Sequence, residues 1–135
     1  MPDGFLKLCR ARRSVRRYHE RPVERTKLEY CLEAARLAPS AENGQPWRFI
    51  VFDDPERKRA LAERVFGGLY RVSRPLADAP VLVALFIKEN LFINRLGGAV
   101  QRIPLQFVDA AIAGEHFVLA AAEQGLGTCW IGWFD

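Results

Sequence analysis

Apolar and polar positions alternate along this chain in two rhythms, one near 3.6 residues and one near two. Residues 3–11 offer Phe5, Leu6, Leu8 and Cys9 for burial on a short helix. From 12 to 18, R-R-S-V-R-R-Y, the period is two, so an extended segment turns Val15 away from Ser14 and Arg16. A helix opening at Pro22-Val23 and running to about Ala38 aligns Leu28, Cys31, Leu32, Ala35 and Leu37–Ala38 on one stripe. Glu29 and Glu33, four apart, mark its solvated face. Pro39 ends that helix, because a residue before proline is pushed out of the helical region. Ser40, Glu42, Asn43 and Gln45 then make a polar loop in which Gly44 relaxes the backbone and Pro46 forces an extended exit. Phe49-Ile50-Val51-Phe52 follows as a short buried strand.

The second half repeats the alternation of element types. Asp53-Asp54-Pro55 opens a helix with proline near its first position and acidic groups at its positive end. It continues through Ala60, Leu61, Ala62 and Val65 to a stop at Gly67-Gly68. Residues 69–78 have no readable period. Residues 79–87 read as a central strand, apolar throughout and rich in β-branched side chains. Residues 88–103 mix charged and amide side chains with Gly97-Gly98, a composition suited to a mobile surface segment. Residues 109–122 predict an alanine-rich helix, apolar on nearly every side and therefore deeply buried or an interface. Gly125 and Gly127 end it, and 128–133 resume as a strand.

Composition narrows the class. At 135 residues the chain fits one domain, 1–135, without repeats or low-complexity linkers. No uninterrupted apolar run approaches the ~18 residues of a membrane span, and the charged N-terminus has no signal-peptide core behind it, so the expected compartment is the cytoplasm. Cys9, Cys31 and Cys129 are widely separated and read as buried thiols, not as a disulfide or a metal set. His19 and His116 are isolated, which leaves zinc without ligands and makes metal sites unexpected.

The net charge of +4 comes mostly from residues 1–27, where nine Lys and Arg face Asp3, Glu20 and Glu24. Such a cluster suits a phosphate-bearing partner, nucleic acid or nucleotide-like cofactor, or else a plain solvated face. Arg12, Ser14 and Arg16 sharpen the first possibility: a hydroxyl between two forked guanidinium groups is a plausible phosphate clamp. Hydrolytic machinery is absent, with no G-x-S-x-G elbow and no P-loop. The G-x-G of Gly125–Gly127 follows a helix, not a strand, and does not fit a dinucleotide fold. A chain without evident acid–base residues can still be an enzyme when a cofactor carries the reaction.

Three segments in order, R-R-S-V-R-R-Y, A-R-L-A-P-S-A-E-N-G-Q-P-W-R-F and G-L-G-T-C-W-I-G, resemble the flavin-dependent nitroreductases. The resemblance implies an α+β nitroreductase-like fold, a mostly antiparallel central sheet flanked by helices, assembled as a homodimer. It implies flavin mononucleotide (FMN) as cofactor and NADH or NADPH as electron donor, with a nitroaromatic, quinone or related acceptor reduced in ping-pong order. Residue by residue, Arg12, Arg13, Ser14 and Arg16 match the family's phosphate, ribityl and ring-edge contacts. Pro39, Ser40, Asn43 and Gln45 match the loop that approaches the flavin, often from the neighbouring subunit. Ile131 and Gly132 stand where a backbone amide faces the reactive ring nitrogen, so no side-chain catalytic residue is implied. Residues 88–103 correspond to a variable part of the substrate entrance.

Departures from the family pattern accompany the resemblance. Members usually continue beyond the last segment with another helix, a strand and often a basic residue on the phosphate, whereas this sequence stops at Asp135 and looks shortened at its C-terminus. Val72 and Pro75 stand near positions where some members place Asn and Lys, and Trp133 replaces a more usual Gly. Trp47, Trp130 and Trp133 read as core or dimer packing. Two further readings follow: a flavin-binding module with little or no turnover, and nucleic-acid binding through the Arg-rich front. The second lacks aromatics interleaved with the basic residues, apart from Tyr18. The sequence thus favours a small-molecule redox enzyme, with neither nucleic acid nor membrane as partner.

Overall fold

A computed structural model describes residues 3–88 and 104–135. Helices α1 (Asp3–Ala11) and α2 (Arg25–Arg36) are followed by a 3-10 turn (Ala41–Asn43), strand β1 (Trp47–Phe52) and helix α3 (Pro55–Val65). A run of 3-10 turns (Gly68–Asp78), strand β2 (Leu82–Ile87) and helix α4 (Leu105–Glu123) complete the order.

Helix α4 is the centre of packing, and its composition explains why. Ala110, Ala113, Gly114, Ala120 and Ala121 are buried, and such small side chains let neighbouring elements approach its axis closely. Cys31 and Ala35 of α2 meet Phe117, Ala120 and Ala121 in one core cluster. Ala38, Trp47 and Ala113 form a second. By length and composition alone α4 could cross a membrane, with a mean hydropathy of 1.3. Counting uninterrupted apolar runs missed this, because Asp109, Glu115 and His116 break the run without lowering the average far. Here it serves as the helix on which the described residues pack.

Strands β1 and β2 pair antiparallel, from Trp47 opposite Ile87 to Phe52 opposite Leu82. Opposed residues share a face. Phe49 therefore turns with Trp47 and Leu85 toward α4, where its ring stacks on Phe117 at 5.7 Å. Phe52 and Leu82, on the reverse face, are covered by Ala62 and Phe66 at the end of α3. Ile50 and Phe86 on that same face remain exposed.

Local chemistry sets the ends of the elements. Asp54 caps α3 by accepting the Arg57 N–H at 2.9 Å, with Pro55 at the first helical position. At the end of α4, Leu126 N–H reaches Ala121 O at 2.8 Å and Gly125 N–H reaches Ala122 O at 3.1 Å. Gly125 sits at φ 74° between them, the left-handed residue that such a double closure requires.

Several expectations from the sequence change. Leu37 does not join the buried stripe of α2: it lies nine residues beyond Leu28, about half a revolution away, and is 64% exposed. The helix itself is shorter at both ends than 22–38, and β2 begins after Pro80 and not at 79. Residues 12–18 and 128–133 are extended but not ladder-forming strands; they share a single parallel bridge, Ser14 to Thr128. Cys31 is buried, whereas Cys9 is exposed and Cys129 partly so. Trp47 is core, while Trp130 and Trp133 are about half exposed. The surface segment expected at 88–103 lies, beyond Lys88, outside the described residues.

Candidate functional site

The basic strip at 12–16 is held by its backbone at Val15. Val15 N–H donates to Thr128 O at 2.8 Å, and the Tyr18 hydroxyl donates to Val15 O at 2.5 Å. A Cβ on Gly127 would stand 2.7 Å from Val15 Cγ2, so glycine is required for this approach. Arg13, Ser14 and Arg16 are exposed, and Arg16 Nη1 donates to Ser14 O at 3.3 Å. Arg12 is half-buried, its Nε 3.7 Å from a carboxylate oxygen of Glu115 on α4. Burial raises the Tyr18 phenol above its ordinary range; nearby Cys129 adds to the rise and Arg16 opposes it.

The 128–135 segment continues from that bridge along α3. The Ile131 side chain packs against the cluster of Ala62, Phe66 and Leu82. Gly132 is open: nothing lies within 4 Å of where its Cβ would stand. Its amide meets no acceptor among the described residues. Trp133 is fixed immediately beyond, its carbonyl accepting from buried Ser73 Oγ at 2.7 Å and its indole N–H donating to Leu69 O at 3.3 Å. The Tyr70 ring lies 5.6 Å away, tilted by 54°. An amide without an acceptor among the described residues is thus set between two anchored residues. On the other side, Trp130 lies over Gly114 so closely that a methyl group there would collide with the indole.

The 39–45 loop departs most from expectation. Gly44 lies at an ordinary helical φ of −69°. The left-handed positions are instead Glu42, Asn43 and Gln45, at φ 53°, 52° and 43°. Such positions cost on the order of 1–3 kcal/mol each and persist only where the surroundings over-determine them. Two side chains hold the loop: Ser40 Oγ accepts Gln45 N–H at 3.0 Å, and Asp109 Oδ1 accepts Ala41 N–H at 3.1 Å. Pro39, Asn43 and Gln45 are exposed and Ser40 is half-buried. Gln45 also lines a shallow cavity of about 440 Å³ with Leu32, Arg36, Trp47, Arg48 and Phe49.

The structure therefore joins Arg12, Arg13, Ser14 and Arg16 to the chain leading to Ile131 and Gly132. Of Pro39, Ser40, Asn43 and Gln45, Gln45 lines the groove beside the loop, and no residue of the strip lines that groove. Both halves are instead tied to α4, at Asp109 and Glu115, about 9 Å apart along its axis. Sequence reasoning missed these two carboxylates. The available signal was their presence in a helix made mostly of alanine and large apolar residues. Among the described residues no group of His, Cys, Asp and Glu could hold a metal ion. His116 is a packing residue, its Nδ1 3.2 Å from Ala34 O.

Comparison with known proteins bears on this arrangement of strip, loop and open glycine. The model of the nitroreductase family matches residues 9–135. The chain belongs to the nitroreductase family. A nitroreductase relative from Archaeoglobus fulgidus, provisionally named NADH dehydrogenase/NAD(P)H nitroreductase, is 34% identical over 131 residues, covering 96% of this chain and 68% of its own. A solved nitroreductase family protein from Clostridium novyi NT superimposes with a TM-score of 0.80 at 28% identity, over 98% of this chain and 71% of that one. An FMN-dependent nitroreductase from Clostridium difficile R20291 gives 0.70 at 35% identity, over 96% and 65%. The fold is thus the nitroreductase fold. Curated relatives are longer: this chain spans 68%, 34% and 60% of three of them.

Proposed function

We propose that residues 1–135 form a single flavin-binding domain that works, as a homodimer, as an FMN-dependent NAD(P)H oxidoreductase. The observation that carries this reading is the bridge between Ser14 and Thr128. It sets a strip of exposed cations and a hydroxyl beside a segment whose Gly132 amide is open and unpaired among the described residues. This donor set fits a ligand with an anionic phosphate at one end and a flat ring at the other. Arg12, Arg13, Ser14 and Arg16 hold the phosphate and ribityl chain, because guanidinium forks and a hydroxyl match phosphate oxygens. Ile131 anchors the segment through its side chain, and the Gly132 N–H faces the ring, where a fixed main-chain donor stabilises developing negative charge.

When bound, FMN supplies hydride chemistry in ping-pong order, between NADH or NADPH and a nitroaromatic, quinone or related acceptor. The chain's own part is to bind, orient and offer donors. The loop with Pro39, Ser40, Asn43 and Gln45 completes the site from a second copy. One observation supports that arrangement: Leu37, Phe107 and Val108 near the loop are exposed. The relatives' names, among them an FMN reductase of Bacillus subtilis at 33% identity, favour the same chemistry.

The decisive experiment is spectroscopic. Purified protein titrated with FMN should show the bound-flavin absorbance, and the Arg12→Ala/Ser14→Ala variant should lose most of it while its circular dichroism is unchanged. A variant that stays equally yellow rules out the phosphate assignment.

A further inference from the structure

Three left-handed residues in one loop, none of them glycine, need something outside the loop to hold them. Within it, Asn43 N–H closes on Ser40 O at 3.1 Å and Gly44 N–H on Ala41 O at 2.9 Å. These bonds make the turn but do not fix its orientation on the body of the protein. Asp109 does. It is only 7% exposed, lies one turn into α4, and its Oδ1 takes the Ala41 N–H across 68 residues of sequence. No ion pair satisfies it among the described residues. A buried carboxylate committed to one loop amide is a costly arrangement to leave unpaired, and the same cost makes it a strong tether.

We infer that Asp109 is a positioning residue: through Ala41 N–H it holds the 39–45 loop in the conformation that presents Ser40, Asn43 and Gln45 to the ligand. The inference rests on the reading of that loop as part of the flavin site, and it assigns Asp109 no contact with FMN. The surroundings agree. Ser40 enters the turn at φ −146° and ψ 154°, so chain direction alone does not prescribe the three left-handed residues that follow. Between Leu105 and Ala113, Asp109 is the one charged side chain of α4, in a helix whose burial would favour an apolar residue at that place.

Two changes remove the bond from opposite sides. Asp109→Ala deletes the acceptor. Ala41→Pro deletes the donor, and the extended Ser40 already suits a residue preceding proline. Hydrogen exchange of the loop amides is read without FMN, and FMN dissociation constants are read by absorbance. Each variant should speed exchange at residues 42–45 tenfold or more while the interior of α4 keeps its protection, and should weaken FMN binding by about tenfold. Asp109→Asn, which keeps a carbonyl acceptor, should recover most of both losses, and the double variant should be no worse than the weaker single. Unchanged loop exchange overturns the inference, as does exchange raised uniformly through α4 and β1. Faster loop exchange with undiminished FMN affinity also overturns it, since the tether would then not serve the site. Wild-type protein that binds no FMN counts against the proposed function; the exchange data would still decide whether Asp109 holds the loop.

Discussion

Gly127 leaves no space for a methyl group. Its missing Cβ would stand 2.7 to 3.0 Å from three atoms of Val15, a β-branched side chain that cannot rotate away freely. Gly127→Ala should therefore lower stability by about 1–3 kcal/mol, the usual range for overpacking, read as a drop in urea midpoint. Val15→Ala in the same chain should return much of the loss; failure to do so would place the strain elsewhere. Cys31 makes a different point at the same scale. Complete burial pushes its thiol up from 9.0 to about 11. The folded state favours the neutral thiol, so this contribution is fully present below pH 9 and is lost as pH rises toward 11. It amounts to roughly 2–3 kcal/mol. The urea midpoint of the wild type should fall over that interval more steeply than that of Cys31→Ala. Parallel curves would mean that the thiol does not carry it.

At the scale of elements, α4 does two jobs with one sequence. Its alanines and Gly114 admit Cys31, Ala35, Trp130 and the sheet close to its axis, and Asp109 and Glu115 reach outward to loop and strip. Two helix boundaries followed from local signals: Asp54-Pro55 at the start of α3 and Gly125 at the end of α4 behave as the sequence predicts, whereas α2 is shorter than expected and α4 starts four residues earlier, at Leu105. The extended segments did not follow so well. Residues 128–133 have the composition of a strand, but a strand is defined by its neighbours, and among the described residues this segment bridges only Ser14. The loop misled for a related reason. Gly44 was the natural place for a left-handed residue, yet Asp109 and Ser40 pull their partner amides into positions that move that conformation onto Glu42, Asn43 and Gln45.

Considered whole, the described chain has a thin interior. Many buried positions are alanine, and the largest side chain excluded from solvent almost completely is Cys31. Phe107 and Val108 on α4 meanwhile stand 58% and 44% exposed, with Leu37 outside at 64%. An apolar face of this kind beside the 39–45 loop fits an interface with a second copy. Phe107→Glu with Val108→Glu should convert the protein to a monomer in sedimentation velocity and release bound flavin in the same preparation. A monomer that keeps its flavin in full would show that the loop of a second copy is not required.

The sequence by itself determined the helices, the first strand, the packing role of Trp47 and the family to which the chain belongs. These are written in periodicity, caps and three local motifs, each of which acts over a few residues. It also named every residue of the basic strip, the loop and the open glycine. Only the tertiary structure decided which of them meet. Val15 approaches Thr128 because Gly127 lacks a side chain, and Asp109 reaches Ala41 because α4 packs beside the loop. Such contacts join residues far apart in the chain, and no local period records them.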